Sequence, residues 1–353
     1  MQICRNEYIK QVGVLTCHLS ICLPRSSIRN FETYDMSYTA LPEFPADIAT
    51  ESLRVVDYEL IENGDEKEMN MLWEAATTLG FWYLMNHGLE QMVEKMFDMG
   101  EETLSLTMEE KMGYEQESPF GYKTISFDSS EIELVNIAKD DVIAWPKQVR
   151  SRCVYPSNIY ERMDSTIAPF VRKSTKISEK ILNVFDSKLG LPEGFLNRLH
   201  SAQEPSASEA RTIKVPKNLP AGKLIFEAHT DSGSLSYLHT RGLGGLQILS
   251  PGTDKWHYVK PITGYTICNI GDALTLLSGG ILHSCIHRVL AAPGSQVAYE
   301  RWSQMFYLRP GESVMLHALS DRSLLIAEAA DKSGKPESKF NQVHISTPRT
   351  FRL

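Results

Sequence analysis

The stretch EAHTDSGSLSYLH, residues 227–239, contains a histidine and an aspartate separated by a single residue. Because successive residues of an extended strand point to opposite faces, His229 and Asp231 would project to the same side while Thr230 points away. The Ser-Gly-Ser that follows is typical of a turn, which would put the pair at a strand end. An imidazole beside a carboxylate can bind a metal, but it is also a common hydrogen-bonded pair without one. The spacing alone leaves both interpretations open.

A third candidate ligand lies in the stretch HSCIHRVL, several predicted strands further along the chain. Adding His287 to the earlier pair gives two histidines and one carboxylate. This is the ligand set of non-haem Fe(II) oxygenases, which leaves metal positions open for cosubstrate and dioxygen. On the same predicted strand, His283 would lie about 13 Å from His287, so we expect it to have a packing role. His239 and His257 have no partner at a useful spacing and are expected to lie outside the site.

The stretch RWS places Arg301 and Ser303 on one face of a further predicted strand. A guanidinium offers two parallel donors to a carboxylate, and a hydroxyl can add a third contact. If R-x-S stood alone, Arg301 would be interpreted as a surface arginine. Because it follows H-x-D and H-R-V, it predicts instead a binding site for a dicarboxylate that also reaches the metal.

The elements that must position these residues change character at about residue 207. Before it, apolar residues three and four apart predict helices in MNMLWEAATTLGF and LEQMVEKMFDMGEETLSL. LRVVDYELI and GFWYLMNHGL are read as short strands, and Thr107 with Glu110 as a capping box. The longest helical pattern spans about 163–189 and stops at Gly190. Such a helix normally packs its apolar stripe against a sheet.

After about residue 207 the apolar residues alternate as in strands. The strand-like runs are TIKV, KLIFEA, SLSYLH, GLQIL, WHYV, YTICNI, ALTLL, CIHRVLA and RWSQMFYL. Turn clusters such as DSGS, RGLGG and SPGTD separate them. The pattern predicts an all-β sandwich or barrel. An immunoglobulin-like sandwich is not supported, because its Cys…Trp…Cys pattern is missing.

At this point the sequence resembles a known family. HTD, HRV and RWS occur in the order and approximate spacing of the isopenicillin-N-synthase-like Fe(II)/2-oxoglutarate-dependent dioxygenases. RVVDY, GFWYLMNHG and the MEEK turn resemble the N-terminal region of that family, while GGLQIL, CNIGDALTLLSGG and FYLRP resemble its core. The resemblance implies a mainly β fold with a helical N-terminal region and a double-stranded β-helix, or jelly-roll, core backed by helices.

The resemblance also implies site residues and cofactors. The residues matching His229, Asp231 and His287 bind iron in that family, and those matching Arg301 and Ser303 hold the far carboxylate of 2-oxoglutarate. The implied cofactors are Fe(II), 2-oxoglutarate as cosubstrate and dioxygen, with ascorbate as a supporting reductant. No further catalytic residue is expected beyond the metal ligands, because iron and cosubstrate carry the chemistry.

Two further positions, Val215 and His87, bear on the resemblance. Val215 stands near the place where the family has a tyrosine that helps to bind 2-oxoglutarate. His87, in the NHG of the N-terminal motif, belongs to the resemblance but not to the metal set, so we expect it to be structural. Candidate walls for a substrate pocket are 121–127, 245–249 and the C-terminal tail.

The implied activity is the oxidation of a small organic molecule by hydroxylation, desaturation or ring formation, in specialised metabolism. One alternative keeps the fold: an oxidase of the isopenicillin-N-synthase type uses its R-x-S pair for the substrate carboxylate and needs no 2-oxoglutarate. A second alternative is a jelly-roll protein that binds ligands without catalysis. The presence of all three metal-ligand positions argues against a protein that only binds ligands.

Charge and cysteine content limit the partners and the compartment. The 353-residue chain has a formal net charge of −8 and no lysine- or arginine-rich block. Because nucleic acids and anionic membranes attract clustered positive charge, we expect neither as a partner, and expect a small-molecule substrate. The six cysteines show no C-x-x-C spacing, which predicts reduced thiols in a cytoplasmic protein. The oligomeric state stays open.

Four segments are expected along the chain. Residues 1–35 would be a disordered extension or a mis-assigned start, since an ordinary enzyme-like beginning follows at Met36. Residues 36–206 would form the helix-rich N-terminal dioxygenase region and residues 207–312 the Fe(II)/2-oxoglutarate jelly-roll core. Residues 313–353 would be a C-terminal tail that could serve as a lid.

Overall fold

Two β-sheets make up the centre of the protein. A computed structural model describes residues 41–114, 118–127, 130–147, 149, 154–333 and 349–350, so the predicted extension at 1–35 lies outside the described residues. The strands are β1 (Arg54–Asp57), β2 (Phe81–Met85), β3 (Gly121–Phe127), β4 (Ser130–Ala138), β5 (Glu209–Val215), β6 (Leu224–Thr230), β7 (Leu235–Thr240), β8 (Leu246–Leu249), β9 (Trp256–Tyr258), β10 (Thr266–Ile270), β11 (His287–Leu290), β12 (Arg301–Leu308) and β13 (Arg349–Thr350).

Helices precede, interrupt and follow these strands. They are α1 (Tyr58–Glu62), α2 (Glu66–Thr78), α3 (Glu90–Leu104), α4 (Met108–Met112), α5 (Lys139–Ala144), α6 (Ser157–Glu161), α7 (Ala168–Leu189), α8 (Phe195–Leu199), α9 (Asp272–Leu277) and α10 (Leu324–Ser333). A π-helical turn at Met163–Ile167 leads into α7, and a 3-10 turn at Gly294–Ala298 precedes β12. None of the described helices is long and apolar enough to cross a membrane.

The larger sheet has eight strands in the order β1-β2-β10-β7-β12-β5-β4-β3. It therefore combines strands from both sides of residue 207. The smaller sheet has the order β13-β6-β11-β8-β9, and all its pairs are antiparallel. Its strand β13 pairs with β6 beside His229, so part of the C-terminal tail lies next to a candidate ligand. A lid role for the tail stays a prediction.

The two sheets pack through their apolar faces. Alternate residues of both sheets share one buried cluster, whose members include Ile213, Leu238, Ile267, Leu246, Ile248 and Val289. The opposite face of the eight-stranded sheet packs against the helices, in a second cluster that includes Trp82, Tyr237, Phe306, Leu72, Phe97 and Phe185. Each large apolar side chain buried in this way contributes about 1.5–3 kcal/mol. This confirms the predicted jelly-roll core backed by helices.

Local signals explain the main helices. In α7 the predicted apolar stripe is buried, and Gly190 ends the helix in the left-handed region at φ 68°. The predicted capping box is present at the start of α4, where Thr107 accepts a hydrogen bond from the Glu110 amide and Glu110 accepts one from the Thr107 amide.

Two strand predictions are wrong. The run ALTLL forms helix α9, and the second half of LRVVDYELI forms helix α1. Both runs are short, so their apolar pattern fits either structure. Tertiary contacts decide for α9: its first amides, on Asp272 and Ala273, donate to the carbonyl oxygens of Asp231 and Gly233. The turn after β6 thereby satisfies the N-terminus of α9.

Candidate metal and cosubstrate site

The three candidate metal ligands lie at one end of the smaller sheet. His229 is the penultimate residue of β6, Asp231 follows that strand directly, and His287 is the first residue of β11. Because β6 and β11 are antiparallel neighbours, His287 lies directly opposite His229, with 4.3 Å between the ring centroids. The expected grouping of residues far apart in sequence is therefore present.

Their free donor atoms converge. Oδ1 of Asp231 lies 3.8 Å from Nε2 of His229 and 3.6 Å from Nε2 of His287. All three atoms lie within 4.8 Å of one another, and no other group of His, Cys, Asp or Glu in the described part of the chain does so. His283 is not part of the group. It lies in the loop before β11 rather than on the predicted strand, and its amide donates to the carbonyl of Ala76.

The second nitrogen of each histidine is bound by the backbone. Nδ1 of His229 lies 2.7 Å from the carbonyl oxygen of Glu227, and Nδ1 of His287 lies 3.1 Å from that of Cys285. A carbonyl can only accept, so each Nδ1 carries the proton and each Nε2 keeps a free lone pair. Burial lowers the pKa of His287 to about 4, which keeps its ring neutral at physiological pH. Both rings are thus held in the tautomer that a metal needs.

The carboxylate of Asp231 is held in the same way. Its Oδ2 accepts hydrogen bonds from Ser236 Oγ at 2.5 Å and Asn269 Nδ2 at 2.8 Å, which leaves Oδ1 free. Burial would raise the pKa of Asp231, but His287, His229 and the two hydrogen bonds lower it to about 2. Asp231 is therefore ionised at neutral pH.

This donor set fits a divalent iron ion. Two imidazole nitrogens and one carboxylate oxygen that converge within 4.8 Å would hold it as the 2-His-1-carboxylate donor set, which leaves coordination positions for exchangeable ligands. The fit rests on the free lone pairs at His229, Asp231 and His287, since the other polar atom of each side chain already has a protein partner.

Arg301 and Ser303 begin strand β12 and point toward the smaller sheet, on the same face as Met305, which packs against the apolar cluster between the sheets. Both residues are buried. Arg301 Nε and Ser303 Oγ have no hydrogen-bond partner among the described residues. Burial lowers the pKa of Arg301 to about 10, still far above neutral, so the guanidinium is charged. A buried cation with no carboxylate counter-ion in the described part of the chain is costly, which indicates that an anionic ligand completes this position.

Strand β5 runs beside Arg301. Val215 on β5 lies opposite Arg301 in the register, so the neighbouring side chain is aliphatic at the place where a tyrosine hydroxyl is expected from the resemblance. Strand β5 therefore supplies no tyrosine hydroxyl to this site.

Three other histidines, His87, His239 and His257, have structural contacts. His87 and His239 are both buried, and each has a ring nitrogen 2.9 Å from Oγ1 of Thr266, between the larger sheet and the helices. His257 contacts Ser250 and Glu51 on the smaller sheet. None of the three belongs to the convergent group around Asp231.

Ser236 and Asn269 are site residues that sequence reasoning misses. They lie on β7 and β10, on the face that looks toward the smaller sheet. The alternating pattern of SLSYLH and YTICNI predicts which residues share a face, but not that these strands are neighbours that bracket Asp231. A polar residue on an otherwise apolar inner face is the signal that could have identified each of them.

Comparison with known families agrees with this geometry. The profile of the 2OG-Fe(II) oxygenase superfamily matches residues 204–310. A second profile, described as the N-terminal region of non-haem dioxygenases in morphine synthesis, matches residues 53–150. Together they account for more than half of the chain, and the first spans every candidate ligand discussed above.

Individual relatives and solved structures point the same way. A 2-oxoglutarate-dependent dioxygenase of Aspergillus fumigatus is 28% identical over 321 residues, which are 81% of this chain and 82% of that protein. The fold is shared with a 2OG-Fe(II) oxygenase family protein of Caulobacter crescentus, with a TM-score of 0.69, 21% identity and coverage of 81% and 95% of the two chains. It is also shared with a full-length Neurospora crassa protein in complex with alpha-KG and thymine, with a TM-score of 0.63, 19% identity and coverage of 79% and 97%.

Proposed function

The chain belongs to the Fe(II)/2-oxoglutarate-dependent dioxygenases, oxidoreductases that use Fe(II), 2-oxoglutarate and dioxygen, and we propose that His229, Asp231 and His287 are its iron ligands. One observation carries this assignment: three donor atoms converge within 4.8 Å while the other polar atom of each side chain is already bound. A hydrogen-bonded His–Asp pair without a metal would leave no reason for a second histidine at a similar distance from the carboxylate.

Arg301 and Ser303 are the proposed binding site for the far carboxylate of 2-oxoglutarate. The support is that Arg301 Nε and Ser303 Oγ are buried and have no hydrogen-bond partner among the described residues. A guanidinium donates two parallel bonds to a carboxylate, and a hydroxyl two residues along the strand can donate a third. The burial that lowers the pKa of Arg301 also strengthens its interaction with a bound anion, because the local dielectric is low.

The protein's own residues position the reactants. Iron bound at the triad would supply the redox chemistry by which dioxygen oxidises the substrate while 2-oxoglutarate is converted to succinate and carbon dioxide. His229, Asp231 and His287 would fix the metal on one side and leave the opposite side accessible. Arg301 and Ser303 would orient the cosubstrate, and the apolar cluster between the sheets would exclude water from this space.

The proposed substrate is a small organic molecule, and the proposed setting is specialised metabolism. The structurally similar Neurospora crassa protein binds thymine, a small molecule, in a complex that also contains alpha-KG. The triad and the Arg301–Ser303 pair both lie on faces that the two sheets turn toward each other, and this position suits a compact substrate better than a macromolecule. A cytoplasmic location is proposed as well, supported by the free thiols of Cys268 and Cys285, both of them buried.

The decisive experiment needs no substrate. The full chain is incubated with Fe(II) and 2-oxoglutarate in air, and the slow uncoupled formation of succinate is measured. The His229→Ala variant tests the site, and His317→Ala, which changes an exposed histidine, is the matched control. We expect succinate from the wild type and the control, and none from His229→Ala.

Two outcomes would contradict the proposal. Equal succinate formation by His229→Ala would remove this histidine from the iron site. Iron binding without any succinate would favour the oxidase alternative, in which Arg301 and Ser303 bind the substrate carboxylate and no 2-oxoglutarate is consumed.

A further inference from the structure

A second charged cluster lies on the same inner face as the Arg301–Ser303 pair. Along β12, Arg301, Ser303, Met305 and Tyr307 share one face, and Tyr307 lies about 13 Å beyond Ser303 by strand rise. Tyr307 is directly opposite Ser236, the residue that donates to Asp231. The proposed position of the 2-oxoglutarate carboxylate is therefore at one end of this face. Ser236, which holds the metal-binding carboxylate of Asp231, lies at the other end.

Arg211 projects from β5 at this second end. In the strand register it lies opposite Met305, on the inner face shared by Ile213 and Val215. Burial would lower the pKa of Arg211, but the nearby Glu209, Tyr307 and Asp231 raise it above its ordinary value. Arg211 is thus a permanent cation within electrostatic reach of the metal-binding carboxylate.

The guanidinium of Arg211 is held rigidly on one side. Its Nε donates to Asn136 Oδ1 at 2.7 Å and its Nη2 donates to Glu209 Oε1 at 2.7 Å. It also lies over the ring of Tyr307, 4.9 Å from the centroid. Nη1 donates to none of the described residues, and the side chain is 25% exposed, whereas that of Glu209 is 3% exposed. Arg211 therefore combines a free donor with a partly accessible side chain.

The cluster carries a surplus positive charge. Arg309 also donates to Oε1 of Glu209, at 3.1 Å, so two guanidinium groups share one carboxylate. Arg309 lies over the ring of Tyr307 as well, and its buried Nε has no partner among the described residues. The carboxylate of Asp231 cannot neutralise this surplus positive charge, because a bound metal ion would already offset its own negative charge. A ligand with one negative charge would balance the cluster.

We propose that Arg211 binds a carboxylate of the substrate, so that the enzyme oxidises a small organic acid held between this carboxylate contact and the metal. The inference rests on the proposed iron site, because that site defines which side of the face the substrate occupies. A carboxylate suits the position because it is planar, carries a single charge and matches the free edge of a fixed guanidinium. Glu209 and Asn136 hold that guanidinium in place before the acid arrives.

The variant Arg211→Gln tests the contact with little risk to the fold. Glu209 keeps its bond to Arg309 when Arg211 is removed, so no buried carboxylate loses its only partner. Arg211→Lys keeps the charge but loses the planar fork. Lys214→Gln is the matched control, because Lys214 lies on the same strand, on the opposite face, beside Glu133 and Glu300.

The assay compares carboxylic acids with their own primary amides. A panel of small aromatic and aliphatic acids, each paired with its amide, is added to the full chain loaded with Mn(II) and 2-oxoglutarate, and thermal stabilisation is recorded. We expect acids, and not amides, to stabilise the wild type and Lys214→Gln. In Arg211→Gln the affinity for those acids should fall about tenfold or more, which abolishes the preference over amides; Arg211→Lys should lie between.

Three results would overturn the inference: equal stabilisation by acids and amides, acid binding that Arg211→Gln leaves intact, or no stabilisation by any acid. These readouts do not depend on turnover. Uncoupled succinate formation, measured on the same preparations with His229→Ala alongside, decides the iron site separately. A failure of the iron site and a failure of the Arg211 contact therefore give different results.

Discussion

The metal triad and the Arg301–Ser303 pair differ in how their polar atoms are satisfied. In the triad, every polar atom that would not bind the metal already has a protein partner: backbone carbonyls for His229 and His287, and Ser236 with Asn269 for Asp231. In the pair, Arg301 Nε and Ser303 Oγ are buried and have none among the described residues.

The difference indicates two kinds of binding site. The triad is arranged by its neighbours before a ligand arrives, so substitutions around it should change metal affinity through the orientation of the ligands. The pair depends on its ligand for its hydrogen bonds, so substitutions there should change the affinity for 2-oxoglutarate and leave metal binding unaltered. Metal affinity and cosubstrate affinity can therefore be measured as separate quantities.

The largest expected effect is that of Asp231→Ala. The variant leaves two histidines without the anionic ligand, so purified protein should hold no iron and form no detectable succinate. The fold should persist, because Asp231 lies in a turn after β6 rather than in the core. Metal content and succinate are measured beside Asp321→Ala, a change at an exposed aspartate. Wild-type iron content in Asp231→Ala would remove this residue from the site.

Arg301→Gln should affect the binding of 2-oxoglutarate and not the binding of iron. The loss of a charge-assisted, buried contact is expected to raise the KM for 2-oxoglutarate about a hundredfold. Iron binding should stay at the wild-type level, and the thermal stabilisation that 2-oxoglutarate gives the wild type should disappear. Lys214→Gln serves as the control, since Lys214 pairs with Trp302 on the opposite face of β12. An unchanged KM for 2-oxoglutarate would assign the pair to another carboxylate, as in the oxidase alternative.

Ser236→Ala tests the supporting contacts of the triad. It removes one of the two hydrogen bonds to Oδ2 of Asp231, and loss of such a contact is expected to weaken Fe(II) affinity about tenfold. At saturating iron the KM for 2-oxoglutarate should equal that of the wild type. Iron titrations monitored by succinate formation measure both values. If Ser236→Ala instead changed the KM for 2-oxoglutarate and left iron affinity unaltered, the Ser236 hydroxyl would support the cosubstrate position and not the metal ligands.

The sequence predicts much of this arrangement because its signals are local. The two-residue spacings of His229 with Asp231 and of Arg301 with Ser303 require only that each segment is extended. The stripe of α7 and the capping box of α4 are also local, and both are present. The proximity of His287 to the first pair is expected from the ligand set and the resemblance rather than from any local pattern. Its role as an iron ligand stays a prediction.

What the sequence does not predict depends on strand register. Arg211 gives no sign of its position until β5 is seen to pair with β12, which sets Arg211 opposite Met305. Asn269 approaches Asp231 only because β10 lies beside β7. The run ALTLL becomes helix α9 because the turn after β6 accepts its first amides, a contact that no window of sequence contains.

Ser303→Ala has the smallest expected effect. It removes one neutral hydroxyl from the pair and leaves the guanidinium, so the KM for 2-oxoglutarate should rise about threefold, as for a single uncharged hydrogen bond. Iron affinity should not change, because Ser303 Oγ forms no hydrogen bond with His229, Asp231, His287 or any other described residue. The comparison with Ser236→Ala is direct, since both variants delete one serine hydroxyl from the same inner face. If Ser303→Ala weakened iron binding and Ser236→Ala did not, the triad would depend on the cosubstrate position for its geometry, and the two regions would be one site.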